Sequence, residues 1–290
     1  MIYSLNIRPD GGEILQYNKP AFPVRCVDGD LSHFHDFAAG CHWHNDFEIL
    51  IAKQGDLDYF VNGAIIPVHQ GEAIFVNANR LHYGFSSCKR ECLYSCIVFH
   101  PDLFGVLSMT NAGQVAELSS DTQPGYVLIQ DSSEIQIIQR ICALFAKQPY
   151  GFELAVQGSC AELLYHILSA NHVVPQEPPD TQWLALRAMI GYLQVHYGDT
   201  IRLEEIAAAG AVCRSRCCQL FREKMNMTPI QYLNRYRIEK ARELLLTTAL
   251  PITEISKRCG FDSPSYFSEL FRRAFGRSPK NLRMDGVDKH

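Results

Sequence analysis

Two stretches of ten residues, LFREKMNMTP (220–229) and LFRRAFGRSP (270–279), share Leu-Phe-Arg at their start and a hydroxyl residue plus proline at their end, offset by 50 positions. Upstream of each, EEIA (204–207) and TEIS (253–256) agree at an offset of 49. A repeat constrains the fold strongly because one local structure must be built twice. Two copies are too few to stack into a solenoid, so the sequence predicts a duplicated small motif.

Each copy reads as a short helix, a tight turn and a second helix. In the second copy residues 252–259 form the first helix and Gly260 supplies the turn. Ser263 as N-cap and Pro264 at the first helical position then open the next helix. Helical spacing buries Phe267, Leu270, Phe271 and Phe275 and turns Ser265, Ser268, Glu269 and Arg272 outward. In the first copy Cys217, Leu220 and Phe221 bury, while Arg214, Ser215, Cys218, Gln219 and Arg222 look out. Short polar side chains with Arg and Gln on a free helix face suit base edges and phosphates. Between the copies, residues 229–248 read as one helix bounded by Pro229 and Pro251. At 1.5 Å per residue it is about 30 Å long, close to the roughly 34–36 Å of one duplex turn. Arg235, Arg237, Lys240 and Arg242 give it phosphate-binding capacity.

Charge supports that division of labour. Residues 1–180 hold 9 Lys+Arg against 20 Asp+Glu, and residues 181–290 hold 18 against 11, within an overall net charge of −4. A basic second half joined to an acidic first half points to a polyanion as partner of the second half alone.

The first half has another rhythm. FEILIA, DLDYFVNG, EAIFVN and YSCIVFH fall between residues 47 and 100. Turn residues at Gly55, Asn62-Gly63, Gly71 and 77–79 separate them, as in an antiparallel barrel or sandwich. From Ser132 the period becomes helical. Ile135, Ile138, Ile141, Cys142 and Phe145 form one stripe, Leu154, Cys160, Leu163, Leu164 and Ile167 a second, and Gln-Pro-Tyr-Gly (148–151) breaks them. VVPQEPPD (173–180) resists helix and sheet and reads as a linker. The expected organisation is a β-barrel with a helical hairpin, followed by an all-α domain with two helix-turn-helix units. The expected bounds are 1–130 for the barrel, 131–172 for the hairpin, 173–180 for the linker and 181–290 for the DNA-binding domain. With no apolar run of eighteen residues, no membrane partner is expected. The N-terminus lacks a signal-peptide pattern, and eleven scattered cysteines read as reduced thiols, so a cytoplasmic location is expected.

The stretch RIEKARELLLTTALPITEISKRCGFDSPSYFSELFRRAFGRSPKNLR resembles the signature of the AraC/XylS family of bacterial transcription regulators. Arg237, Ala241, Leu244, Leu245, Ile252, Ile255, Gly260, Phe261, Tyr266, Phe267, Phe271 and Pro279 occupy that family's characteristic positions, and the match runs over about residues 183–284. The resemblance implies a sequence-specific double-stranded-DNA-binding regulator and no catalytic residues. The expected DNA-contacting set is Arg214, Ser215, Arg216, Cys218, Gln219, Arg222, Arg237, Ser263, Ser265, Tyr266, Ser268, Glu269 and Arg272. The first unit departs from the pattern. Ala211 stands where glycine is usual, Cys213 where the N-cap serine is, and Cys217 at a core leucine position. In the second unit Glu269 replaces a common Arg or Lys.

HWHNDFEILIAKQG (42–55) is similar to the first cupin motif, His-x-His-x3-Glu-x6-Gly. The second motif is degraded: Gly71 and His82 are in place, but Asn77 and Asn79 replace its Pro and Gly. Strand alternation turns His42 and His44 to one side. With Glu48 and His82 they form a three-nitrogen, one-carboxylate set that can contact a small polar effector, a sugar for example, or hold a divalent Zn, Ni, Fe or Mn ion. No cofactor is required by the sequence. Purely structural histidines are the third reading; His33 and His35, in the loop-like stretch SHFHDF, read as solvated or structural. The expectation is an effector-controlled regulator that dimerises through its hairpin, with RNA polymerase as a possible further partner. A metal-dependent cupin enzyme, a metal-responsive regulator and a constitutive DNA binder remain as alternatives.

Overall fold

The computed structural model describes residues 6–8, 12–104, 124–170 and 181–287. The chain divides into two compact units, Ile14–Asp180 and Met1–Glu13 with Thr181–His290. Of the first thirteen residues, the described ones (6–8, 12 and 13) fall in the second of these units. Residues 173–180, expected as the linker, lie outside the described residues.

Among the described residues the first unit holds eight strands, all paired antiparallel: β1 (Val24–Asp30), β2 (Phe47–Gln54), β3 (Leu57–Val61), β4 (Ala64–Val68), β5 (Ala73–Val76), β6 (His82–Phe85), β7 (Leu93–Phe99) and β8 (Tyr126–Ile129). They form a five-stranded sheet, β1-β7-β2-β5-β8, and a three-stranded sheet, β4-β3-β6. The architecture is cupin-like, but the strands make two open sheets where a closed barrel was expected. The β3–β4 hairpin turns at Asn62 (φ 43°) and Gly63 (φ 91°), both left-handed. An Asn-Gly pair tolerates that conformation at both central positions.

β2 explains why FEILIA shows no clean alternation. Phe47, Ile49 and Ile51 face one apolar cluster, and Leu50 and Ala52 face another. The second cluster lies between the sheets and includes Leu57, Tyr59, Val61, Ile66, Val68, Ile74 and Val76. The first is roofed by α1 (Ser132–Lys147) and α2 (Phe152–Ala170), through Ile135, Ile138, Ile141, Phe145, Val156, Cys160, Leu163 and Ile167. A strand covered on both faces is apolar throughout. Asp131 caps α1, its side chain accepting from the Ser133 N–H. The hairpin thus spends its stripes on the sheet of its own chain. Leu154, expected on the buried stripe, is 75% exposed.

The second unit contains α3 (Thr181–Val195), α4 (Leu203–Ala209), α5 (Arg214–Met225), α6 (Pro229–Thr247), α7 (Ile252–Arg258), α8 (Pro264–Phe275) and α9 (Pro279–Val287). α4–α5 and α7–α8 are the two copies of the repeat. α6 starts with a capping box in which Thr228 accepts from Gln231 N–H, followed by Pro229. Ile238, Ala241 and Leu245 of α6 pack with Ile255, Cys259, Phe261, Phe267 and Phe271 of the second copy. Each fully buried aromatic of this kind contributes about 1.5–3 kcal/mol. Gly260 turns α7 into α8 at φ +73°, where an added Cβ would lie 2.6 Å from both the Tyr197 carbonyl oxygen and Arg237 Nη2. The equivalent turn of the first copy uses Ala211 at φ +52°.

Candidate functional site

Backbone pairing assembles the first site. His42 and His82 form an antiparallel bridge, with His82 N–H donating to the His42 carbonyl at 2.9 Å and the reverse bond at 3.2 Å. Directly opposed residues project to one side, so their rings meet at 4.3 Å between centroids. His44, two residues on, follows His42 to the same side, its ring 4.8 Å from that of His82. Asn79 takes a left-handed turn (φ 62°) and donates its N–H to the His44 carbonyl at 2.8 Å. Asparagine is tolerated in that conformation, which is how the degraded second motif still delivers β6 to the site. Glu48 enters from β2, paired between Val76 and Val98.

All four side chains are buried, with exposures of 5% for His42, 1% for His44, 4% for Glu48 and 1% for His82. Their candidate ligand atoms lie within 4.8 Å of one another. Nδ1 of His42 stands 2.8 Å from the Gly40 carbonyl, that of His44 3.1 Å from Asp46, and that of His82 2.7 Å from Arg80. A carbonyl only accepts, so each Nδ1 carries a proton toward its carbonyl and each ring turns Nε2 inward. Glu48 Oε2 lies 3.3 Å from His44 Nε2 and 3.4 Å from His82 Nε2. The Tyr59 hydroxyl donates to the other oxygen, Oε1. Burial pushes the Glu48 carboxyl up, but the His82 and His44 imidazoles more than reverse this and hold it well below the usual range. Burial, aided by His82, drives His42 well below its ordinary value and keeps it neutral. Burial and then the Glu48 charge push the Tyr59 phenol well up, so it remains a donor. Tyr59 was missed in the sequence because one aromatic in an alternating strand carries no mark of its inward polar partner. His33 and His35 stand outside the cluster, in the short helical turns Leu31–His33 and His35–Phe37.

The second candidate site is the pair of second helices, α5 and α8. Arg214, Ser215, Gln219 and Arg222 are exposed on α5, with Arg216 and Cys218 half-buried. Arg214 pairs with Glu204 at 2.7 Å and Gln219 donates to Glu223 at 2.6 Å. On α8, Ser265, Tyr266, Ser268, Glu269 and Arg272 are exposed, as is the cap residue Ser263, whose Oγ accepts from the Tyr266 N–H. Asn234 of α6 donates to the Tyr266 hydroxyl at 3.1 Å.

Arg237 departs from expectation. It is 9% exposed, and Nε and Nη2 donate to the carbonyls of Tyr197 and Asp199. Its place on the inner face of α6 leaves no donor fork for DNA phosphate, and it holds the helical unit together. Two further α6 cations are engaged within the fold: Lys240 pairs with Glu243 at 3.1 Å, and Arg242 lies over the Phe275 ring.

Two family profiles match the chain: an AraC-like ligand binding domain over residues 27–168 and a helix-turn-helix domain over residues 206–285. The chain belongs to the AraC family of transcription regulators, which join a ligand-binding N-terminal domain to a DNA-binding helix-turn-helix domain. It is 24% identical over 277 residues to the uncharacterized HTH-type transcriptional regulator YdeC of Bacillus subtilis, spanning 93% of this chain and 95% of that one. It is 28% identical over 244 residues to the HTH-type transcriptional activator RhaS of Shigella sonnei, spanning 83% and 86%. Among solved structures, an apo form of a ToxT variant from Vibrio cholerae shares the fold at a TM-score of 0.51 and 15% identity, over 93% of this chain and 99% of that chain. Among the described residues no helix is long and apolar enough to cross a membrane.

Proposed function

We propose that this chain is a cytoplasmic one-component regulator that is not an enzyme. It reads double-stranded DNA with α5 and α8, and the occupant of the His42, His44, Glu48 and His82 cluster controls it. A small polar effector at that cluster would act only through its different affinity for two arrangements of the regulator. The observation that carries the DNA-reading half is the pair of polar helix faces on either side of one uninterrupted spacer. α6 has 19 residues, a length of about 28 Å, near the roughly 34–36 Å repeat of the duplex. Ser215, Gln219 and Arg222 on one helix, and Ser265, Ser268, Glu269 and Arg272 on the other, supply base-edge and phosphate partners.

A second copy of the chain is the proposed oligomeric partner. The reason differs from the one read in sequence, since the sheet already covers the buried stripes. Leu154, Gly158, Ala161, Tyr165 and Leu168 recur at spacings of four and three along α2, with Leu154 75%, Tyr165 67% and Leu168 39% exposed. That spacing is the seam of a two-helix coiled coil. RNA polymerase is a further partner by the same reading.

Selection of the full-length chain against a randomised double-stranded pool tests the function. An enriched motif with two half-sites about one turn apart, bound more weakly as salt rises, is expected. Enrichment of no motif at any salt concentration would overturn it.

A further inference from the structure

We propose that Cys26 and Cys142 form a thiol–disulfide exchange site, at which a low-molecular-weight disulfide joins strand β1 covalently to helix α1. The site stands apart from the histidine cluster and from the DNA-reading helices.

Register places the pair. β1 is the edge strand of the five-stranded sheet. Along it Val24, Cys26 and Asp28 stand opposite Phe99, Ile97 and Ser95 of β7. Ile97 and Ser95 in turn stand opposite Ile49 and Ile51 of β2. Val24, Phe99, Ile97, Ile49 and Ile51 all belong to the cluster roofed by α1 and α2, so strand alternation turns Cys26 and Asp28 toward that roof. On α1, Cys142 follows Ile138 by four residues and precedes Phe145 by three, which puts it on the inner stripe of the roof. Phe22, just ahead of β1, stacks on Phe145 at 6.4 Å between ring centres, so this part of α1 lies over the β1 edge. Cys26 and Cys142 both pack against the cluster. Their thiols meet there, the Cys26 S–H donating to the Cys142 sulfur.

Chemistry separates this pair from thiols of the core. Cys160 and Cys259 are buried, and burial pushes each thiol up to about 12, which leaves them inert near neutral pH. Cys26 and Cys142 are half-buried at the sheet edge, open to a small reagent. The hydrogen bond from Cys26, aided by the Lys53 charge, holds the Cys142 thiol below its ordinary value against the effect of burial. Lys53 is held nearby, its Nζ donating to Asp28 Oδ1 at 2.8 Å, and Ser95 Oγ donates to the same oxygen at 2.6 Å. The thiol–thiol bond, and then burial, pushes Cys26 up. Cys142 is therefore the attacking thiolate and Cys26 the resolving thiol.

The exchange runs in two displacements. Cys142 loses its proton to water and its sulfur attacks one sulfur of the reagent. The reagent's S–S bond breaks, and one small thiolate leaves and is protonated. Cys26 then loses its proton and attacks Cys142 Sγ, the mixed S–S bond breaks, and the second small thiolate leaves and is protonated. Two protein thiols are oxidised by two electrons, and one small disulfide is reduced to two thiols. Excess small thiol reverses both steps. The new bond pins the helical roof to the sheet edge and closes a long loop of chain, which stabilises the unit mainly by restricting its unfolded state.

The test treats the full-length chain with glutathione disulfide, blocks remaining thiols with N-ethylmaleimide and maps non-reduced peptides by mass spectrometry. Expected are a peptide pair joined through Cys26 and Cys142 and a melting temperature raised by roughly 5–15 °C. Dithiothreitol should restore both thiols and the original melting temperature. Cys26→Ser should halt at a stable glutathione adduct on Cys142. Cys142→Ser should take up no adduct at Cys26, and the reagent should raise the melting temperature of neither variant. Should a variant fail to fold, the wild-type peptide map alone decides. A folded wild-type chain in which the maleimide blocks both thiols after the same treatment overturns the proposal, as does linkage of either cysteine to a different one. An adduct on Cys26 in Cys142→Ser overturns the order of attack.

Discussion

Arg237 Nε donates to the Tyr197 carbonyl at 2.7 Å, and Nη2 of the same guanidinium donates to the Asp199 carbonyl at 2.6 Å. One side chain thus closes the segment after α3 onto α6, with its guanidinium carbon 5.7 Å from the centre of the Phe261 ring. Arg237→Ala removes both charge-assisted bonds and leaves two carbonyls without that donor. The expected loss is about 3 kcal/mol from the helical unit, read by urea unfolding of the full chain. Arg237→Lys should recover little, since an ammonium cannot span both carbonyls as the planar fork does. DNA affinity per folded molecule should stay near wild type; a large loss in the still-folded variant would return Arg237 to the DNA interface.

The first helix-turn-helix unit carries two local defects that can be repaired. Ala211 sits at φ +52°, a conformation costing a residue with a Cβ about 1–2 kcal/mol. Glycine removes that strain but gains unfolded-state entropy, so Ala211→Gly should stabilise by about 0.5–1 kcal/mol net. Cys213 is the N-cap of α5 and makes no side-chain capping bond, so Cys213→Ser should add about 0.5–1 kcal/mol. A melting temperature that rises for each change and rises further for the pair is the expected result. No rise for Ala211→Gly would mean that the turn carries no strain.

These positions show what sequence makes legible. The repeat, its turns and caps were readable because glycine, proline and hydroxyl residues act within a few positions of themselves. The first cupin motif was readable for the same reason, since His42, His44 and Glu48 lie close in sequence. His82 needed only the assumption that β6 returns beside them. Arg237 was misjudged because a cation on a helix suggests solvent. Yet Leu233, Arg237, Ala241 and Leu245 recur every four residues and are all buried, and that phase was the available signal. The helical roof over β2 was harder. Whether the stripe of α1 and α2 meets its own sheet or another chain depends on tertiary packing that no local pattern encodes.

Dimerisation through α2 makes a sharp demand on its exposed stripe. An added Cβ at Gly158 would meet no atom within 4 Å, and Leu154 and Tyr165 on either side are largely exposed. Tyr165→Glu or Leu154→Glu places a charge in the proposed seam without touching the buried core. Each should raise the dimer dissociation constant by roughly 30-fold, about 2 kcal/mol, in sedimentation equilibrium. The melting temperature of the sheet unit should hardly change. Unchanged dissociation in both variants would place the dimer contact elsewhere.

Glu269 is an exposed carboxylate on the reading face of α8, one position from Ser268 and three from Arg272. Near a phosphate it repels. Over a base edge in the major groove it can accept from the exocyclic amine of cytosine, and that contact discriminates by about 1–3 kcal/mol. Its effect should therefore fall on sequence preference more than on overall affinity. Glu269→Ala, selected against the same randomised pool as wild type, should lose preference at one base-pair position and keep the rest of the motif. Removing a negative charge should also raise non-specific affinity at low salt, by the same electrostatics that make cations bind. An unaltered motif with only this uniform gain would show that Glu269 faces the backbone and that Ser265, Ser268 and Arg272 alone carry the reading of that half-site.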